Sequence, residues 1–265
     1  MNCIRHQAEE NKMLFLTIFR TITITVSAFL LLIAVAVTPA SAACSNTSLK
    51  GVYGYYHGHE TYDGNYVVGQ FTANGKGDLT GSWTWSWYGS IYTGTFTGTY
   101  SISSNCTGSL TFSNEENSPE NFNIVLDDAK KAFQMIVSDS GSTQPGFGVA
   151  LGHATCGLTG KTQTFATNLS GILVSSDEAE AIVGQITLNG NGNISGTETF
   201  SVNNVISTVS VTGTYTQNSD CIGAAQITPA GSAATNFYTV AVDGGQELLL
   251  IETDNNSFLT GIAQE

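Results

Sequence analysis

From residue 50 onward, apolar and polar positions alternate in short runs broken by Gly, Asn, Asp and Ser, and no long stretch carries the 3.6-residue period of a helix. The alternation predicts eight strands in the first half, near 50–57, 65–73, 78–88, 91–102, 107–113, 121–127, 131–138 and 146–152. Eight more follow near 158–167, 181–188, 193–203, 205–217, 222–228, 236–242, 246–252 and 258–263. Asn74-Gly75 and Asn189-Gly190 read as two-residue type I′ hairpin turns, and Asp243-Gly244-Gly245 marks another hairpin. Short links make sequential strands antiparallel neighbours, and an even meander of about eight strands loses its edges by closing into a small barrel.

The opposite pattern stands at the start. Residues 21–38, TITITVSAFLLLIAVAVT, are continuously apolar or Thr, follow Arg5, Lys12 and Arg20, and precede Pro39 and the small-residue run Ala40-Ser41-Ala42. This order predicts a signal peptide over residues 1–42, cleaved after Ala42. A retained membrane helix and a lipoprotein acylated at Cys44 are the alternatives.

The chain also repeats itself. Shifted by 115 residues, VVGQFTANGKGDLTGSWTWS falls on IVGQITLNGNGNISGTETFS, and residues 69–110 match 184–225 without a gap at 18 of 42 positions. A repeat of this length describes one structural unit used twice. The division is residues 44–155 and 156–265, each unit a β-barrel. The expected fold class is therefore all-β, two tandem antiparallel up-and-down barrels of about eight strands each behind a signal helix. Four cysteines remain after residue 42, one at the start of each copy and one just after Gly-Thr-Tyr, which predicts Cys44–Cys106 and Cys156–Cys221, one bridge per copy. Export makes their oxidation the expected state.

Composition narrows the functions. Of 265 residues only 11% are charged, the formal net charge is −13, and every cation after residue 42 is a lysine (50, 76, 130, 131, 161). Such a surface repels phosphate backbones and anionic headgroups, so nucleic acid is excluded as a partner, as is a membrane once the signal is removed. The missing Arg also removes the planar fork that usually clamps carboxylate or phosphate substrates.

The segments G-Q-F-T-A-N-G-K-G-D-L-T-G (69–81) and G-T-Y-S-I-S-S-N-C-T-G (98–108), with their second copies, resemble a group of uncharacterised secreted bacterial proteins. Their duplicated units look similar to calycin-type barrels, lipocalin-like or allene-oxide-cyclase-like. The resemblance implies a barrel scaffold and brings no catalytic residue with it.

Where the copies agree, backbone geometry and packing explain the agreement, so function is sought where they differ. The largest difference is Trp83-Thr84-Trp85-Ser86-Trp87-Tyr88, whose counterparts for the three indoles are Glu198, Phe200 and Val202. Residues two apart in a strand share a face, so the three Trp form one row. An aromatic at position 85 in both copies assigns Trp85 to the core, and Glu198 opposite Trp83 predicts that the Trp83 end reaches solvent. Tyr53, Tyr55, Trp83, Trp87 and Tyr88 are the candidate ligand-binding residues. His57 and His59 point to one side of their strand as two imidazole ligands would, with Glu60, Asp63 and His153 as candidate third ligands, and are the one metal-like cluster. No nucleophile elbow and no phosphate loop is present, so no catalytic residue and no cofactor is assigned.

The sequence thus reads as an exported noncatalytic β-barrel protein, secreted, periplasmic or on the cell surface, with a small apolar ligand held in repeat 1. A surface glycan-binding or adhesion module using Trp83, Trp87 and Tyr88 is the alternative, and a barrel enzyme of unknown reaction the third reading.

Overall fold

The computed structural model describes residues 43–59, 64–113, 119–127, 131–142, 144–152, 156–174, 176–255 and 257–265, without the side chain of His59. The signal segment, Glu60, Asp63 and His153 lie outside the described residues. The first eight strands are β1 (Gly51–His59), β2 (Asn65–Ala73), β3 (Asp78–Trp87), β4 (Ser90–Ile102), β5 (Thr107–Ser113), β6 (Pro119–Leu126), β7 (Ala132–Val137) and β8 (Pro145–Ala150). The second eight are β9 (Gln163–Leu173), β10 (Glu178–Leu188), β11 (Asn193–Val202), β12 (Val205–Gln217), β13 (Ile222–Pro229), β14 (Thr235–Val242), β15 (Glu247–Glu252) and β16 (Ser257–Gln264). Within each set of eight, each strand pairs antiparallel with the next. β8 returns to β1 and β16 to β9, so the fold is two closed eight-stranded barrels.

Alternation decides which side chains face inward. In barrel 1 the register sets Tyr53 beside Phe71, Leu110 beside Phe122 and Leu126 beside Phe133, while Ser109, Thr111 and Asn123 face out. The interior is ring against ring: Phe96 and Phe112 centroids are 4.4 Å apart, Phe112 and Phe122 4.9 Å, and Tyr55 and Phe112 5.3 Å. A barrel of this strand number is just wide enough to be filled by side chains.

Both copies secure the same corner by the same means. A disulfide joins Cys44 to Cys106 and another Cys156 to Cys221, and Cys106 and Cys221 share a left-handed backbone, at φ 67° and 69°. The Tyr100 hydroxyl accepts from Gly75 N at 2.7 Å and donates to Asn46 O at 3.1 Å; Tyr215 donates to Leu158 O at 3.2 Å. These bonds explain why Gly-Thr-Tyr recurs.

Two local expectations change. Neither Asn74-Gly75 nor Asn189-Gly190 forms a two-residue turn: the Asn74 side chain accepts from the backbone of Lys76, Gly77 and Asp78, that of Asn189 from Asn191 and Asn193, and this Asx arrangement lengthens both loops. The tight turns with two positive φ values are instead Tyr88-Gly89 (52° and 71°) and Asn203-Asn204 (47° and 63°). β9 begins at Gln163 rather than near 158 and runs on to Leu173, because its inward row Phe165, Thr167 and Leu169 continues to Gly171, which pairs with Glu180 and Leu259.

The barrels share a core. Val240, Val242, Leu249, Ile251 and Phe258 point out of barrel 2 and pack with Tyr66, Val68, Tyr56 and Val52, which point out of barrel 1. A methyl group at Gly54 would come within 2.5 Å of Val242 and 2.9 Å of Val240, so β1 must be bare there. β15 is buried on both faces, which is why it reads Leu-Leu-Leu-Ile instead of alternating.

Candidate functional site

The upper end of barrel 1, where β1 finishes and β2 begins, is built differently from its lower end. β3 and β4 pair as far as Trp87 and Ser90, whereas β4 pairs with β5 only between Thr97 and Ile102. The β3–β4 hairpin therefore overhangs the barrel, and its inward row is Trp83, Trp85 and Trp87 on β3 with Tyr92 opposite Trp85 on β4.

These rings form one wall. Trp83 and Trp85 meet edge to face at 6.4 Å, Trp85 and Trp87 lie nearly parallel at 6.0 Å, and Tyr92 sits 5.1 Å from Trp85. Gly94 lets the Trp83 indole lie flat on β4, since a methyl group there would meet the ring at 2.5 Å. The Trp85 indole N–H donates to Asn65 Oδ1 at 2.5 Å, which fixes the middle ring. Exposure rises outward: Trp83 and Trp85 are half-buried, while Trp87 and Tyr92 are 47% and 44% exposed. Tyr88 is exposed at the hairpin tip.

A polar group stands inside the same end. His57 is buried, its Nδ1 lies 3.1 Å from Gln144 Oε1, and its Nε2 lies 3.7 Å from Glu120 Oε2. With the Gln144 carbonyl accepting from Nδ1, the Nε2 lone pair faces Glu120. Burial pulls the imidazole down to about 4, so the ring is neutral near pH 7. Partial burial, and then the charge of Asp139, push the Glu120 carboxyl up to about 7. Phe122 packs edge-on against His57 at 5.1 Å, and Tyr55 stacks parallel to it at 6.1 Å.

Barrel 2 does not repeat this end. Glu198 and Glu180 occupy the places of Trp83 and Asn65, and Glu198 is buried with Thr167 donating to its Oε1 at 3.3 Å. Glu252 is 1% exposed, accepts from Ser257 Oγ at 2.5 Å and Leu259 N at 3.0 Å, and is pushed up to about 7 by burial.

The expected residues thus separate. Trp83 and Trp87 belong to the wall, but the order is reversed, with Trp87 rather than Trp83 nearest solvent, because a buried carboxylate in one copy does not mark an exposed place in the other. Trp85, assigned to the core, is half-buried in the wall. Tyr53 and Tyr55 are buried among the rings below. His57 faces Gln144 and Glu120, and the His59 side chain lies outside the described residues. Among the described residues no group of three His, Cys, Asp or Glu side chains is placed to hold a metal ion. Sequence reasoning missed Tyr92, Asn65, Glu120 and Gln144. The first was within reach, since a two-residue turn at Tyr88-Gly89 sets Tyr92 opposite Trp85.

No protein-family model matches the chain, and no curated protein sequence matches it. Among solved structures it overlaps the isotype 1 transferrin binding protein B from serogroup B Neisseria meningitidis at a TM-score of 0.35 and 7% identity. The overlap covers 76% of this chain and 64% of that one, so the chain spans less than two thirds of its length.

Proposed function

We propose that this is an exported, noncatalytic binding protein, released by removal of residues 1–42, whose ligand rests against the aromatic wall at the upper end of barrel 1. The observation that carries the reading is the exposure of Trp87 and Tyr92 on the inward row, where apolar rings are ordinarily covered. Aromatic rings packed below direct a small apolar ligand to the mouth rather than to the depth of the barrel. The two exposed side chains at the hairpin tip, Trp87 and Tyr88, favour the second reading, in which a glycan stacks on the outer rings.

The protein carries its own reporter, because its three tryptophans all lie in this wall. Titration of the mature chain with N-phenyl-1-naphthylamine, and separately with a panel of soluble oligosaccharides, should give a saturable change in tryptophan emission with one of them. Trp87→Ala and Tyr92→Ala should each weaken that ligand at least tenfold. Unchanged emission with every ligand contradicts the proposal.

A further inference from the structure

The mouth of barrel 1 is polarised. The described lysines of this barrel, Lys50, Lys76 and Lys131, stand before β1, between β2 and β3, and before β7, all at the lower end. The upper end holds Glu120 and Asp139, and no lysine or arginine stands there among the described residues. Asp139 is engaged by Asn121, whose backbone N and Nδ2 each donate to it at 2.8 Å. Glu120 has a different neighbourhood. It faces inward opposite Phe112, its side chain is 37% exposed, and the basic residue beside it is His57, whose ring turns a lone pair rather than a positive charge toward the carboxylate.

A carboxylate reachable from solvent, without a lysine or arginine beside it among the described residues and at the same end of the barrel as a wall of indole and phenol rings, has the makings of one recognition chemistry. Ring faces carry negative quadrupole charge and attract cations, most strongly when a full negative charge closes the site. We infer that the mouth of barrel 1 selects an organic cation, a substituted amine or quaternary ammonium, held between Glu120 and the ring faces of Trp83, Trp85 and Tyr92. The inference deepens the proposed function and rests on it.

Choline and its neutral carbon isostere, 3,3-dimethyl-1-butanol, separate the two claims. Tryptophan emission of the full mature chain at pH 8 should report choline binding at least tenfold tighter than the alcohol, and Glu120→Gln should bring the ratio close to one. As a check that does not depend on the variant folding, choline affinity of the native chain should rise between pH 5.5 and 8.5 while alcohol affinity stays level. His57, Asp139, Tyr55 and Gln144 are the other titratable or polar groups around Glu120; burial holds the His57 imidazole down near 4 and pushes the Tyr55 phenol up, so neither gains charge in that interval. Equal affinities, or a tighter alcohol, overturn the cation inference and leave the aromatic site standing. No response to either ligand overturns the inference, and the site itself then stands or falls on the naphthylamine and oligosaccharide titrations.

Discussion

His57 Nε2 lies 3.7 Å from Glu120 Oε2 across the interior of barrel 1, with the imidazole held neutral and the carboxyl held back from ionising. The geometry puts the ring proton on Nδ1, toward Gln144. Nitrogen chemical shifts of His57 should therefore show the Nδ1–H tautomer at pH 7 and a midpoint near 4. A midpoint at or above the ordinary 6.5 would contradict the placement.

Buried carboxyls set the pH dependence of stability. Glu252 has a folded value near 7 against an ordinary 4.5, so the folded state holds its proton more tightly, and the stability this brings is complete below pH 4.5 and lost as pH rises through 7. The shift corresponds to about 3 kcal/mol at most. Glu120, Glu180, Glu198 and Glu247 are raised as well and act in the same direction. His57 is depressed and acts oppositely, its contribution being lost as pH falls through about 4. Melting temperature should fall between pH 5 and 8, and Glu252→Gln should flatten that slope. A rising slope would refute the assignment.

The three tryptophans should be distinguishable. With Trp83 and Trp85 changed to Phe, the remaining Trp87 should emit near the wavelength of hydrated indole and be readily quenched by acrylamide. With Trp85 and Trp87 changed instead, Trp83, lying on Gly94, should emit further to the blue and resist quenching. The reverse order would show that the hairpin is inverted.

Gly54 packs closely against barrel 2, and Gly54→Leu would drive a side chain into Val240, Val242 and Leu249. Overpacking of this kind costs about 1–3 kcal/mol, and denaturant unfolding should show the loss. A neutral effect would mean that the shared core is looser than these distances require.

The fold was far more legible than the site. Strand number, antiparallel order and closure follow from period-2 alternation, short turns and the 115-residue repeat, because each is local or repeated in the chain. The loop at Asn74 departs from its Asn-Gly signal because the Asn74 side chain, not a positive φ pair, shapes it. The wall was half legible: Trp83 and Trp87 share a row by parity alone, but their exposure depends on how far β5 accompanies β4. Glu120 and Gln144 meet His57 across the barrel, and no spacing along the chain encodes a contact through a lumen.

The most direct measurement is a set of indole N–H and backbone amide NMR spectra of the mature protein with increasing choline. The account predicts three indole signals, all shifting together with the amides of β3, β4 and β6, while β9–β16 stay still. Indole signals that do not move while amides of barrel 2 do would contradict it.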